Sequence, residues 1–112
     1  MPPAEHLSNL TTERPTFVTH LECGLKGDRY EADRLHGLSQ AGRPLLVRYD
    51  LAALARAVSK ESIAARPADF WRYREFLPVR HARNIVSLGE VLTPLVPCPT
   101  LAAGAGQVFI KD

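Results

Sequence analysis

Several protein classes are excluded by what this chain has little of. Two cysteines, Cys23 and Cys98, stand far apart among 112 residues, and no Cys-x-x-Cys pair occurs. A disulfide-stapled framework is therefore not expected. No apolar run approaches the ~20 residues needed to span a bilayer. The start, Met1-Pro2-Pro3-Ala4-Glu5-His6, has neither the basic opening nor the apolar stretch of a signal peptide. These shortages lead us to expect a reduced, cytoplasmic protein with no membrane partner. Charge of one sign is also scarce, with a formal net charge of +2 and basic residues spread along the whole length. That is too mild a bias to imply a polyanionic partner. No P-loop, Gly-x-Ser-x-Gly or dinucleotide fingerprint is present, and Gly104-Ala105-Gly106 is a short turn of small residues.

What remains is an ordinary globular composition, 46% apolar and 23% charged, of a length that suits one domain or part of one. Residues 1–16 are polar and proline-bearing and read as a flexible lead-in. From Phe17 the pattern alternates, with Phe17, Thr19, Leu21 and Cys23 on one face and Val18, His20 and Glu22 on the other, as in a half-buried strand. Gly24 and Gly27 bracket a turn, and Arg29 to Ala32 can return as a second strand. A further turn, Ser39-Gln40-Ala41-Gly42, leads into Leu45 to Leu51, the clearest alternating strand. Asp50 is placed to cap a helix carrying Leu51, Leu54, Ala55 and Val58. Pro67 suits the first turn of another helix, which Pro78 ends. On it Phe70, Tyr73 and Leu77 would share a face. Residues 85–99 read as loop. Val108-Phe109-Ile110 reads as a buried strand of a parallel or mixed sheet. The expected class is α+β, a ribbon-like antiparallel β element plus helices.

Three blocks carry a family resemblance. The first runs from Leu21-Glu22-Cys23 through Arg43-Pro44-Leu45-Leu46-Val47-Arg48-Tyr49-Asp50-Leu51. The second is Trp71-Arg72-Tyr73-Arg74-Glu75-Phe76-Leu77-Pro78-Val79. The third is Ser87-Leu88-Gly89-Glu90, then Thr93-Pro94-Leu95, then Phe109-Ile110-Lys111-Asp112. In order and spacing they resemble the opening of threonine synthases over about residues 20–112. The resemblance implies a small N-terminal element over 17–84 and, over 85–112, the incomplete start of a fold-type-II α/β domain. It also implies a pyridoxal-phosphate lyase that converts O-phosphohomoserine and water into threonine and phosphate, with homodimerisation as a family expectation. The cofactor of such enzymes is held by a Schiff-base lysine and a glycine-rich phosphate cradle. That lysine follows the segment matched by Lys111-Asp112, so this chain is expected to bind no cofactor and to be inactive alone. Its partner would be the remainder of the catalytic domain. Two departures stand out. Val91 occupies a position where many relatives have a second glycine. Some relatives carry paired Cys-x-x-Cys turns of a zinc ribbon, and here Cys23 survives while Lys26, Leu38 and Ala41 replace the other ligands. A tetrahedral zinc site needs four donors, so the expectation is a ribbon without metal.

Individual candidates point the same way. Lys26 lies in an apparent surface turn, and Lys111 precedes the place where the resemblance puts the true lysine. His20, Cys23 and His36 are residue types that suit zinc, but His20 and Cys23 fall on opposite strand faces. Arg72, Arg74, Arg80, His81 and Arg83 interleave with Trp71, Tyr73 and Phe76, a mixture that can hold nucleic acid. The helix pattern favours instead an aromatic core side and a solvated arginine side, with no nucleic-acid partner. Glu75 and Glu90 are the carboxylates nearest the motifs, and nothing in the sequence pairs them for acid–base work. No catalytic, cofactor-binding or metal residue is therefore assigned. The alternative to an enzyme segment is a stand-alone interaction module that kept the ribbon-like fold. A nucleic-acid binder using Trp71 to Arg83 is a third.

Overall fold

A computed structural model describes residues 4–104 and 106–112. The first three residues of the lead-in, and Ala105 of the small-residue turn, lie outside the described residues. The architecture is α+β, with short helices around two small antiparallel sheets. Among the described residues no helix is long and apolar enough to cross a membrane.

The first sheet is the ribbon. Strand β1 (Val18–Cys23) lies between β2 (Arg29–Tyr30) and β3 (Leu45–Tyr49), antiparallel to both. Val18 pairs with Tyr49 but His20 with Arg48, so Thr19 is a bulge and the alternation restarts after it. The two turns predicted from glycine form as expected. Gly27 and Gly42 have φ of 76° and 71°, where a side chain would be strained.

Asp50 caps helix α2 (Leu51–Ala57) by accepting from the Ala53 amide at 2.9 Å. Only Leu54 of the apolar stripe is fully buried, and Leu51 is exposed. A second helix, α3 (Lys60–Ala64), was not evident in the sequence. Its signal is polar: Ser59 and Ser62 exchange hydrogen bonds in a reciprocal cap.

The lead-in carries a helix where it is described. Helix α1 spans Ala4–Thr11 and packs against the segments that follow Pro67 and His81. Its anchor is Asn9, which is fully buried and donates through Nδ2 to Pro67 O and Asp69 Oδ1, both at 3.0 Å. Two further cross-links follow. Glu13 accepts from the Ala82 amide at 2.9 Å, and Thr16 Oγ1 donates to Leu77 O at 2.6 Å. Apolar periodicity misses such a helix because polar groups hold it.

Two more expectations are corrected. The helix expected from Pro67 is a 3₁₀ segment, Phe70–Phe76, capped by Asp69 and kinked at Tyr73. At three residues per turn its faces differ from those of an α-helix. The C-terminal run forms β5 (Phe109–Lys111), paired antiparallel with β4 (Leu95–Pro97), in a region read as loop. It is half-exposed rather than buried.

Candidate functional site

A network of side-chain hydrogen bonds lies where the second and third sequence blocks meet. Arg66, just before the 3₁₀ segment, forms a bidentate pair with Glu75, with Nη1 to Oε2 at 2.7 Å and Nη2 to Oε1 at 2.8 Å. Both side chains are buried. The same Nη1 reaches Arg72 O, while Arg72 Nη2 donates to Arg66 O and Ala64 O. Arg74 is 0% exposed and donates through Nη1 to Val79 O, while its Nε and Nη2 meet no partner among the described residues. Phe70, Tyr73 and Phe76, by contrast, are partly open to solvent. The sequence expectation of an aromatic core side and a solvated arginine side is thus met in part: Trp71 is buried and Arg80 and Arg83 are exposed, but Arg74 lies inside and three rings lie out. A buried carboxylate draws the Arg66 guanidinium inward, and the 3₁₀ twist turns Phe70, Tyr73 and Phe76 toward solvent while Trp71 stays inside.

Burial acts to raise the Glu75 carboxyl. The hydrogen bonds and charge of Arg66, with the charge of Arg14, outweigh it and hold the group below its ordinary value. Arg14 itself is lowered, by burial first and then by the positive charge of Arg66. One carboxylate therefore faces more than one guanidinium here.

Glu90 closes the third block onto the second. Its Oε1 accepts from the Leu88 amide at 2.9 Å, and its Oε2 accepts from Ser87 Oγ at 2.7 Å and Trp71 Nε1 at 3.1 Å. The Phe70 amide donates to Glu90 O, and Asp69 bridges to Val91. These hydrogen bonds, that of the Leu88 amide foremost, lower the Glu90 carboxyl to about 2. A proton-transfer group works best with a pKa near the working pH, and the lowered Glu75 and Glu90 carboxyls lie away from it. Because the folded-state value of Glu90 is depressed from 4.5, its stabilising contribution is complete above about 4.5. It is lost as pH falls toward 2. Carbon-detected NMR titration should find the Glu90 carboxyl still ionised at pH 3 while exposed glutamates have protonated.

The candidate metal residues each have a separate partner. His20 Nδ1 meets Thr19 Oγ1 at 2.8 Å, and His36 Nε2 meets Glu31 O at 2.7 Å. The buried Cys23 thiol donates to Ser39 Oγ at 3.1 Å and accepts from the Lys26 amide at 3.5 Å. Those bonds, the Lys26 amide first, lower the thiol below its ordinary value. Among the described residues no three His, Cys, Asp or Glu side chains gather to hold an ion. The residue facing Cys23 across the two turns is Ser39, which is buried and also accepts from the Arg43 amide at 3.2 Å. Turn-to-turn matching had singled out Leu38 and Ala41, and Ser39 was missed. Replacing Ser39 by alanine leaves the Cys23 thiol and the Arg43 amide without their acceptor. It should destabilise the chain by about 1–3 kcal/mol, read as a lower urea midpoint at unchanged slope.

Neither lysine singled out in the sequence has the surroundings of an imine-forming amine, which needs burial or a cationic neighbour. Lys26 is exposed at its turn, and Lys111 is exposed with its amine bonded to Thr93 O. The two lysines therefore do not fit a pyridoxal-phosphate Schiff base. Beside the network runs an apolar groove of about 580 Å³, lined by Phe70, Tyr73, Leu92 and Leu95 among others.

Comparison with known proteins adds one relationship. Over 88 residues, 77% of the chain, the sequence is 34% identical to the threonine synthase of Methanocaldococcus jannaschii. No family model matches, and no solved structure matches. The matched residues make up 22% of that relative, so this chain is related in part to threonine synthase and spans about a fifth of its length.

Proposed function

We propose that this chain is the amino-terminal portion of a threonine-synthase-type enzyme and acts there as a scaffold. The observation that carries this reading is the 34% identity over 88 residues. It is supported by the way the resemblance-bearing blocks bond to one another through Trp71 and Glu90. In this reading the ribbon and the Arg66–Glu75 network fix the entry of the chain into a fold-type-II α/β body. That body supplies the lysine and phosphate cradle for pyridoxal phosphate, the electron sink for converting O-phosphohomoserine and water into threonine and phosphate. The residues of this chain orient and support. They touch neither cofactor nor substrate.

The test joins the 112-residue chain to the part of the M. jannaschii threonine synthase that follows its matched stretch. Phosphate release from O-phosphohomoserine is then measured. The chain alone should release none, and the fusion should release phosphate in a pyridoxal-phosphate-dependent way. Turnover by the chain alone would reject the scaffold role. A folded, cofactor-loaded fusion without turnover would reject the enzyme reading.

A further inference from the structure

Strands β4 and β5 pair Leu95 with Lys111, Val96 with Ile110 and Pro97 with Phe109. Val96 and Ile110 therefore share one face, and Leu95, Pro97, Phe109 and Lys111 the other. Large apolar side chains on both faces stand open: Leu95 is 63% exposed, Val96 43%, Phe109 50% and Ile110 48%. An antiparallel hairpin resting on a core would alternate apolar with polar. Strands apolar on both faces belong inside sheets covered by helices on each side. The face of Leu95, Pro97 and Phe109 also borders two grooves, one of about 580 Å³ beside Leu95 and one of about 490 Å³ beside Pro97 and Phe109.

The edges of the hairpin differ. The Asp112 amide bonds to Pro94 O, and the Cys98 amide to Val108 O. In an antiparallel ladder such bonded pairs recur every second residue, which makes Val96–Ile110 the bonded pair between them. Leu95 and Pro97 thus point their backbone groups away from β5, and Phe109 and Lys111 point theirs away from β4. Pro97 has no amide hydrogen, which blunts the β4 edge. The β5 edge keeps both outward N–H groups, so it is the edge able to accept another strand.

We infer that the outer edge of β5, with the apolar faces beside it, is the docking surface for the α/β body of a threonine-synthase-type polypeptide. That body adds a strand to β5 and covers both faces. This rests on the proposed function and deepens it by naming the surface. A second copy of this chain fits less well, because a two-fold contact covers one self-complementary patch and leaves the other face open. More than three-quarters of the M. jannaschii relative lies outside the matched stretch, which is ample chain to form such a body.

Amide hydrogen exchange tests the inference on the 112-residue chain and on its fusion to the rest of the M. jannaschii enzyme. The Ile110 amide, bonded to β4, should be protected in both. The outward amides of Phe109 and Lys111 should exchange freely in the chain alone and slow by at least roughly tenfold in the fusion. Phe109→Pro removes an N–H that the hairpin does not use. It should leave unfolding of the chain alone unchanged and abolish Lys111 protection in the fusion. Free exchange at both amides in a folded fusion overturns the inference. So does dimerisation of the chain alone with these amides protected, which would make a second copy the occupant. Should the fusion not fold, the two polypeptides are co-expressed separately, and co-purification must occur and be lost with Phe109→Pro. Phosphate release without edge protection would remove this inference and leave the enzyme reading intact. Edge protection without phosphate release would do the reverse.

Discussion

Replacing Glu75 by alanine should cost about 3–5 kcal/mol of stability, the range seen when one partner of a buried ion pair is removed. The Arg66–Glu75 pair is buried on both sides, with side chains 9% and 4% exposed. Without the carboxylate, Arg66 keeps Arg72 O as its acceptor among the described residues, and the positive charges of Arg66 and Arg14 lose the group that balances them. A loss of that size is a large part of the ~5–15 kcal/mol that holds a typical domain together. Arg80→Ala offers the contrast. Arg80 pairs with Asp33 in an equally well-formed bidentate contact, but both side chains are exposed, so the loss should stay under about 1 kcal/mol. Urea unfolding at pH 7 measures both. The difference should shrink in acid, because the Glu75 carboxyl is lowered from 4.5 and its contribution fades as pH falls below that value. Equal effects from the two substitutions would mean that the Arg66–Glu75 contact is not held in solution.

The ribbon was legible because its signals are local. Alternation marks β1 and β3 within five or six residues each, and glycine marks the positive φ of Gly27 and Gly42. Asp50 likewise announces the start of α2 by its own chemistry. The polar interior was not legible, because its partners are far apart in the chain. Asn9 bonds to Asp69 across 60 positions, Glu13 to Ala82 across 69 and Trp71 to Glu90 across 19. An apolar-periodicity argument assigns such residues to the surface. Asn9, Asp69, Arg74 and Glu75 are all buried.

The same reasoning explains the mixed outcome at Phe70–Phe76. A 3.6-residue period puts Phe70, Tyr73 and Leu77 on one inward face. With 3₁₀ geometry and a kink at Tyr73, Trp71, Arg74 and Glu75 turn inward instead. Only a cue that Glu75 needs a buried cation would have suggested this, and Arg66 lies nine positions away, before Pro67. At the second turn of the ribbon the misplacement was a single residue. Leu38 and Ala41 were matched by analogy, yet Ser39 carries the contact because a hydroxyl can both face a thiol and accept a backbone N–H.

Trp71→Ala should be comparably damaging, at about 3–5 kcal/mol, because it empties a large buried volume that the short 3₁₀ segment cannot easily collapse to fill. Trp71 is the chain's only tryptophan and is 8% exposed. Its ring meets Phe70 edge-on at 5.4 Å between centroids, and its Nε1 donates to Glu90. Two effects are therefore combined, lost packing and a lost hydrogen bond, and Trp71→Phe separates them. Phenylalanine keeps most of the apolar contact but cannot donate, so its cost should be well below that of alanine. It should also raise the Glu90 carboxyl from about 2 toward its ordinary range, because one of the bonds lowering it has gone. Glu90→Ala combined with Trp71→Phe should be less damaging than the two single changes added, since both break the same contact. Circular dichroism supplies the unfolding curves once the fluorophore is removed. Full additivity would mean that Trp71 and Glu90 do not join the second and third sequence blocks, and the scaffold reading would lose its main structural support.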